Sequence, residues 1–297
     1  VTRGLLNTAN LNWAYSELFQ NYDRAQVENY LPESIDIGAS DGIMVHFAET
    51  HDNPRLAARS QVYARMRTAL CALLSDQGAY GFANGVEWYA TEKINVHNSP
   101  SLNWGASVNQ VDRIRRLNRL LKSLPVFRGP TETRMIQENG GNTLVGLRRH
   151  SPSGRSLLLV VNLDDENQAT ATWDPAAAGS EGLDFIDLLS EADVRVAESN
   201  GRHTCRLEPG QVLCLTQNES DRHLIRQLPD GPFRLPAQVE TQRLRAKAFE
   251  VVSFYRGPGH LADEDPDRLA VQLKEDPVSF CQRVNPLSSE TRVVTWK

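Results

Sequence analysis

Short apolar runs alternate with amphipathic segments along the first part of the chain, in the order strand and then helix. The segment GIMVHFAE (42–49) is apolar and bounded by turn-forming residues, which predicts a strand buried in a parallel sheet. After it, apolar residues recur at helical spacing from 60 to 74. The same alternation continues on both sides of this pair. The predicted elements are strands at 13–19, 42–49 and 78–84 and helices at 23–31, 60–74 and 108–124.

Three strand–helix units in succession predict a parallel sheet with right-handed crossovers. A closed eight-stranded barrel of this kind needs roughly 200 residues or more. Only about 125 residues precede the point where the pattern changes. The sequence therefore predicts an α/β region at 1–127 that is part of a (β/α)8 barrel and not the whole of one.

The middle of the chain has a different pattern, with short strands separated by turns rich in glycine, proline and asparagine. The turn sequences GG, SPSG, NG and PG lie between apolar runs such as TLVGLRRH and SLLLVVNLD. This spacing predicts an antiparallel β-sandwich over 128–217. The predicted strands are TRMIQE, TLVGLRRH, SLLLVVNLD, ATATW, DFIDLL, HTCRL and QVLCLT.

The last part of the chain, 218–297, predicts a linker followed by a helical extension, or the start of a further domain. Pro229, Pro232 and Pro236 indicate the linker. Helical spacing follows, and the final RVVTW predicts a strand with no partner nearby in the sequence. The predicted helices lie at 237–255, 267–274 and 278–284.

Composition narrows the classes of partner that the chain can have. It has 297 residues, 40% of them hydrophobic, which is enough to fill the cores of two or three domains. Its formal net charge of −5 disfavours nucleic acid, and the basic stretch 113–122 has the spacing of a solvated helix face. No apolar run reaches the roughly 18 residues of a membrane span. We therefore expect neither a nucleic-acid nor a membrane partner.

The cysteines favour free thiols over a metal or redox site. No CxxC pair occurs among Cys71, Cys205, Cys214 and Cys281. Cys205 and Cys214 are spaced to meet across neighbouring strands, but reduced thiols in a cytoplasmic protein fit better. We expect no metal and no cofactor. The chain begins at Val1 without a methionine or a signal peptide, and we expect further sequence upstream.

Polar residues follow the strand at 42–49 directly, at the place where parallel barrels carry their functional groups. There Asp52 could accept hydrogen bonds from sugar hydroxyls and His51 could donate one, and such bonds strengthen as an oxocarbenium-like centre develops. The same residues also fit a plain turn, because Asp-Asn-Pro is good turn chemistry. Taken alone, the residues leave both interpretations open.

The segment FAETHDNPR (47–55) resembles the fourth conserved region of the α-amylase superfamily, glycoside hydrolase family 13. In that family the His-Asp pair ends the seventh barrel strand. The resemblance implies that Asp52 stabilises the transition state and that His51 contacts the sugar at the cleaved bond. Arg55 in the same segment is expected to be among the substrate-binding residues, and an α-glucan or maltooligosaccharide is the expected substrate.

The setting of this motif extends the resemblance over about 1–217. A strand, the His-Asp pair, an amphipathic helix and the strand of GAYGFANGVEW follow one another as in the family's seventh and eighth units, so 1–127 would hold about strands 6–8. LLLVVNLDD, DFIDLLSE and LEPGQVLCLT resemble strands of the family's C-terminal β-domain. The loop GVEWYATEKINVHNSPSLNWG (85–105) is most similar to the maltosyltransferase and glucanotransferase branch.

Three residues of the loop 85–105 are further candidates for sugar binding. Aromatic faces at Trp88 and Trp104 are suited to stacking on glucose rings, and Glu87 is suited to binding hydroxyls. Tryptophan at a barrel rim serves packing as often as sugar binding, so the residues fit both roles. Glu49 lies two residues before the His-Asp pair and is interpreted as structural.

One departure from the family decides what the chain is expected to do alone. The family's nucleophilic aspartate and acid/base glutamate end the fourth and fifth strands, which should precede Val1. Retaining hydrolysis needs two carboxylates about 5 Å apart, and Asp52 alone cannot supply both. We therefore expect the C-terminal part of a retaining hydrolase or glucanosyltransferase, inactive without the N-terminal half of its barrel.

Two alternatives stay open. In the first, the chain is a non-catalytic module that binds glucan or holds a neighbouring domain. In the second, two copies complete one another as half-barrels, which would make the chain self-associate. An upstream strand ending in Arg-x-Asp and another ending in Glu would favour the enzyme.

Overall fold

The computed structural model describes most of the chain, which divides into two compact units, 1–229 and 230–297. Within the described residues, no helix has both the length and the apolar character needed to cross a membrane. The described residues are 2–9, 11, 13–16, 19, 23–75, 78–95, 103, 105–138, 141–226, 237–262 and 264–285.

Helices and strands alternate through the first part of unit 1, and strands dominate after residue 130. The helices are α1 (Thr2–Asn7), α2 (Arg24–Ser40), α3 (Leu56–Arg59), α4 (Gln61–Leu74), α5 (Val111–Ser123), α6 (Pro175–Ala178) and α7 (Glu219–Arg226). The strands are β1 (Trp13–Ser16), β2 (Ile43–Phe47), β3 (Gly78–Gly81), β4 (Thr131–Met135), β5 (Thr143–His150), β6 (Ser156–Asn162), β7 (Ala169–Trp173), β8 (Asp184–Asp187), β9 (Asp193–Arg195), β10 (Ala197–Ser199), β11 (Arg202–Leu207) and β12 (Val212–Thr216). Two 3-10 turns occupy Val86–Trp88 and Pro125–Phe127.

Strands β1, β2 and β3 form a parallel sheet in that order, which confirms the predicted parallel arrangement of the first strands. Alternate residues of each strand point to opposite faces. Ala14 and Met44 pack with Leu6 of α1 and Ile37 of α2 on one face. The opposite face carries exposed apolar side chains, which belong to Trp13, Tyr15 and Ile43.

Helix α4 is the central element of unit 1. Its N-terminus is capped by Ser60, whose hydroxyl accepts a hydrogen bond from Tyr63 N at 2.9 Å. Every residue from 66 to 74 is buried, so the helix is covered on all sides. Helix α2 begins with a capping box between Asp23 and Gln26 and continues past Pro32, which makes it longer than the predicted 23–31.

The middle of the chain forms two antiparallel sheets, and all seven strands predicted there are present. The larger sheet has the order β4-β5-β6-β12-β8-β9 and the smaller one β10-β11-β7. β9 and β10 were not predicted, because they are three residues long and mostly polar. Both faces of the larger sheet are covered. Leu158, Val160, Leu213 and Leu215 share a buried cluster with Trp173 and Leu207 of the smaller sheet, and Leu157, Leu159, Val161 and Cys214 share another with α4.

A buried arginine joins this larger sheet to the C-terminal end of α4. Arg148 of β5 is 1% exposed, and its guanidinium donates to Ser75 O at 2.9 Å and to Val126 O at 3.2 Å. Carbonyl groups at a helix C-terminus attract a cation. Gly146 of the same strand lets Leu74 approach, since an added Cβ would lie 3.1 Å from a Leu74 methyl group. The parallel and antiparallel regions therefore share one core.

Unit 2 is helical, and its predicted helices are confirmed. It contains α8 (Ala237–Arg256), a 3-10 turn at Pro258–Leu261, α9 (Pro266–Glu275) and α10 (Pro277–Val284). Asp265 and Asp276 cap α9 and α10 through their carboxylates. The predicted proline linker and the RVVTW strand lie outside the described residues. The buried core of the unit consists of Ala248, Val252, Leu269, Leu273, Phe280 and Val284.

Candidate functional site

The predicted His-Asp pair lies on a short loop that follows β2. His51 and Asp52 have side chains that are 57% and 60% exposed, and Nε2 of the first lies 3.3 Å from Oδ1 of the second. Within the same loop, Asn53 Nδ2 donates to Thr50 Oγ1 at 3.3 Å. An imidazole and a carboxylate are therefore presented together to solvent at the carboxyl end of a parallel strand.

A cavity of about 260 Å³ opens beside this pair. One wall is polar and the other aromatic, a combination that can hold the hydroxyl groups and the apolar ring faces of a sugar at the same time. The described residues lining it are Trp13, Tyr15, Phe47, Glu49, Thr50, His51, Asp52 and Ala83.

The sequence does not single out the aromatic wall as part of a site. Tyr15 and Phe47 meet edge to face, with ring centroids 6.0 Å apart and planes at 89°. The Phe47 ring lies against Gly81, where an added Cβ would come within 2.7 Å of it. The alternation Trp-Ala-Tyr in β1 is the sequence signal for this wall, because it puts Trp13 and Tyr15 on one face of the strand.

Arg55 lies beneath the loop, away from the cavity surface. Its side chain is 0% exposed and forms an ion pair with Glu49, whose side chain is 1% exposed. Burial raises the pKa of Glu49, and the hydrogen bonds from Arg55 and Leu56 N oppose that rise. Arg55 is therefore separate from the exposed residues of the same motif, His51 and Asp52, with which the sequence groups it.

The other predicted sugar-binding residues lie in the loop after β3. The carboxylate of Glu87 accepts a hydrogen bond from Gly85 N at 2.9 Å, and the carbonyl of Trp88 accepts one from Asn103 at 2.7 Å. Neither Glu87 nor Trp88 is among the described residues that line the cavity. Trp104 lies outside the described residues. In the part of the chain that the structure describes, no group of three or more His, Cys, Asp or Glu side chains is arranged to hold a metal.

Comparison by structure identifies proteins with the same fold, whereas no family model and no curated protein matches the chain by sequence. A noncanonic maltogenic α-amylase from Thermotoga neapolitana is 18% identical over 72% of this chain and 53% of its own, with a TM-score of 0.56. An α-amylase from Lactobacillus plantarum is 18% identical over 70% of this chain and 48% of its own, with a TM-score of 0.52.

The chain therefore spans about half the length of the α-amylases that it matches. At 18% identity the similarity establishes a shared fold and does not establish an activity. The resemblance of the His-Asp segment to the α-amylase superfamily is an inference from the sequence, and the structures add to it a shared fold alone. The finer resemblance, to the maltosyltransferase and glucanotransferase branch, rests on the loop sequence 85–105 alone.

Proposed function

We propose that the chain is the C-terminal part of a retaining α-amylase-type enzyme acting on α-glucans or maltooligosaccharides. In this proposal 1–127 supplies about strands 6–8 of a (β/α)8 barrel, 128–217 is the C-terminal β-sandwich and 218–297 is a helical extension. The observation that carries the proposal is the exposed His51–Asp52 pair at the carboxyl end of β2, beside an aromatic-walled cavity.

Each residue of the pair has a distinct task in this proposal. The Asp52 carboxylate stabilises the positive charge that develops on the sugar ring in the transition state. The His51 imidazole donates a hydrogen bond to a hydroxyl of the same sugar. Tyr15 and Phe47 offer apolar surface to the ring face. The loop sequence 85–105 supports transfer of a maltosyl or glucanosyl group as the reaction of the whole enzyme.

In this proposal the nucleophile and the acid/base group lie in a part of the enzyme outside this sequence. Among the described residues two carboxylates line the cavity, Glu49 and Asp52, but Glu49 is bound to Arg55 and to Leu56 N. Asp52 is thus the one carboxylate among the described lining residues that has an exposed side chain. A retaining reaction needs a nucleophile and an acid/base group in addition. The missing half of the barrel would bring both.

Binding of maltotetraose to this chain, measured by isothermal titration calorimetry, tests the sugar site. We expect weak binding that Asp52→Asn reduces about tenfold, because the amide can still accept a hydrogen bond from the sugar but no longer carries the charge that strengthens it. Asp112→Asn is the matched control, since Asp112 is 89% exposed on α5. No binding by the unaltered chain, or equal effects of the two substitutions, would contradict the proposal.

Hydrolysis provides the second test. We expect the purified chain to release no reducing sugar from soluble starch or maltooligosaccharides, because Asp52 lacks its two catalytic partners. Preparations must be free of host amylase. Release that Asp52→Asn abolishes would mean that the nucleophile and the acid lie within this chain, and the proposal of a partial active site would fail.

A further inference from the structure

A buried ion pair closes the base of the loop that presents His51 and Asp52. Glu49 precedes the loop and Arg55 follows it, and their side chains are 1% and 0% exposed. Removing one partner of such a pair leaves an uncompensated charge in a dry environment, which is strongly unfavourable. The two ends of the loop are therefore held together, although the loop itself is exposed.

Arg55 also reaches the neighbouring loop, which follows β3. Its Nε donates to Glu92 O at 3.1 Å, and its Nη2 donates to Asn84 O at 2.7 Å. These two carbonyls lie on either side of the turn that contains Glu87 and Trp88. Because the guanidinium is planar and rigid, its donors point in fixed directions. One side chain thus sets the position of two loops relative to each other.

Glu49 completes the connection on the other side. Its Oε2 accepts a hydrogen bond from Leu56 N at 2.7 Å, at the first residue of α3, while its Oε1 binds Arg55. Both carboxylate oxygens are therefore used inside the protein. A carboxylate that accepts a backbone N–H at the start of a helix satisfies a donor that the helix itself leaves unpaired.

We propose that Arg55 and Glu49 are positioning residues for the sugar site. They hold the His51–Asp52 loop and the loop after β3 in one arrangement, so that the cavity keeps its shape. Arg55 does not line the cavity, and both carboxylate oxygens of Glu49 are engaged by Arg55 and Leu56 N. The effect on sugar affinity rests on the function proposed above. The effect on the two loops does not, and it can be measured without any ligand.

Arg55→Lys is the informative substitution, since it keeps the charge and removes the planar fork. Hydrogen exchange, resolved by peptide, reports on the two loops at 50–54 and 84–92. We expect exchange in both to rise about tenfold while β5 and β6 change less than about twofold. We also expect the NMR signals of the His51 ring to shift and maltotetraose affinity to fall about tenfold.

Arg59→Lys is the matched control, because Arg59 lies close in sequence and pairs with Asp165 outside the cavity. It should alter neither the loops nor the affinity. If Arg55→Lys does not fold, Glu49→Gln replaces it, since the amide oxygen can keep one of the two hydrogen bonds while the charge and the second acceptor are lost. The same measurements and the same expected directions apply to it.

The outcomes separate the two proposals. Unchanged exchange at 50–54 and 84–92 overturns the positioning role of Arg55. Faster exchange with unchanged maltotetraose affinity also overturns it, because the loops would then move without consequence for the site. If the unaltered chain binds no maltotetraose while Arg55→Lys still loosens both loops and shifts His51, the proposed function fails and the structural coupling stands.

Discussion

The six-stranded antiparallel sheet of unit 1 is covered on both faces, whereas the described residues cover the three-stranded parallel sheet on one face. In β6, Leu158 and Leu159 point to opposite faces and are 2% and 1% exposed. In β2, Met44 is 3% exposed whereas its neighbour Ile43 is 52% exposed. The antiparallel sheet has the smaller sheet on one side and α4 on the other, but within the described part of unit 1 the parallel sheet has helices on one side only.

The difference shows that burial depends on what packs against a strand as well as on its sequence. A strand with apolar residues on both faces is typical of a sheet covered on both faces. Strand β2 has this sequence, since Ile43, Val45 and Phe47 lie on one face and Met44 on the other. The face of β2 that the described residues leave uncovered, together with Trp13 and Tyr15 of β1, is the kind of apolar surface that binds a partner.

Truncation of one side chain in each sheet is the strongest test of this contrast. Leu159→Ala should lower the free energy of unfolding by about 2–5 kcal/mol, because it leaves a cavity between β6 and α4. Ile43→Ala should cost less than about 1 kcal/mol, because its side chain is half exposed. Urea denaturation followed by circular dichroism measures both. Equal losses would mean that the face of β2 is covered in solution.

Self-association is the second test of the contrast. We expect the chain to associate through the uncovered face of the parallel sheet, and Ile43→Lys to weaken that association about tenfold. Val108→Lys is the control, since Val108 is 59% exposed and lies outside the sheet. Light scattering coupled to size-exclusion chromatography measures the effect. A monodisperse monomer at every concentration would show that this face needs no partner.

Most secondary structure could be predicted from the sequence, because periodicity and turn residues are local signals. The strand at 42–49 and the helix at 60–74 are found within two residues of their expected bounds. The end of α2 could not be predicted, because tertiary packing of Ile37 carries the helix past Pro32. How the antiparallel strands are divided between two sheets depends on contacts far apart in the chain.

The candidate site could be predicted only in part, and the reason is again distance along the chain. The exposed pair His51–Asp52 follows a strand directly, so position alone indicates its location. The aromatic wall brings Tyr15 next to Phe47, which requires the register of β1 against β2. The burial of Arg55 depends on carbonyl groups of the loop after β3, which no pattern in its own segment indicates.

The reaction rates of two equally buried thiols, Cys71 of α4 and Cys214 of β12, test whether the parallel sheet opens more often than the larger antiparallel sheet. Cys71 and Cys214 are both 0% exposed, and burial raises the pKa of both thiols. Cys71 lies under β2, donating to His46 O at 3.3 Å, whereas Cys214 lies within the larger sheet. If the half-covered sheet opens more often, maleimide should label Cys71 about fivefold faster than Cys214, as read by mass spectrometry. Cys214 reacting first would contradict this.

The smallest effect concerns a polar link between the two regions. Asp165, after β6, binds Ser60 Oγ and Arg59 Nη2, each at 2.6 Å, at the start of α4. Burial alone would raise the pKa of Asp165, but these two partners more than offset it and the pKa is lowered. The folded state therefore favours the ionised form, so the contribution to stability is complete above the pKa of an unfolded aspartate, about 3.9. This contribution to stability is lost as the pH falls below that value and through the lower pKa of the folded state.

Since Arg59 is 57% exposed, we expect Asp165→Asn to cost about 0.5 kcal/mol at neutral pH and almost nothing near pH ~2. Urea denaturation of both proteins across this range measures the difference. A cost that does not change with pH would assign the role of Asp165 to its hydrogen bond with Ser60 and not to its charge.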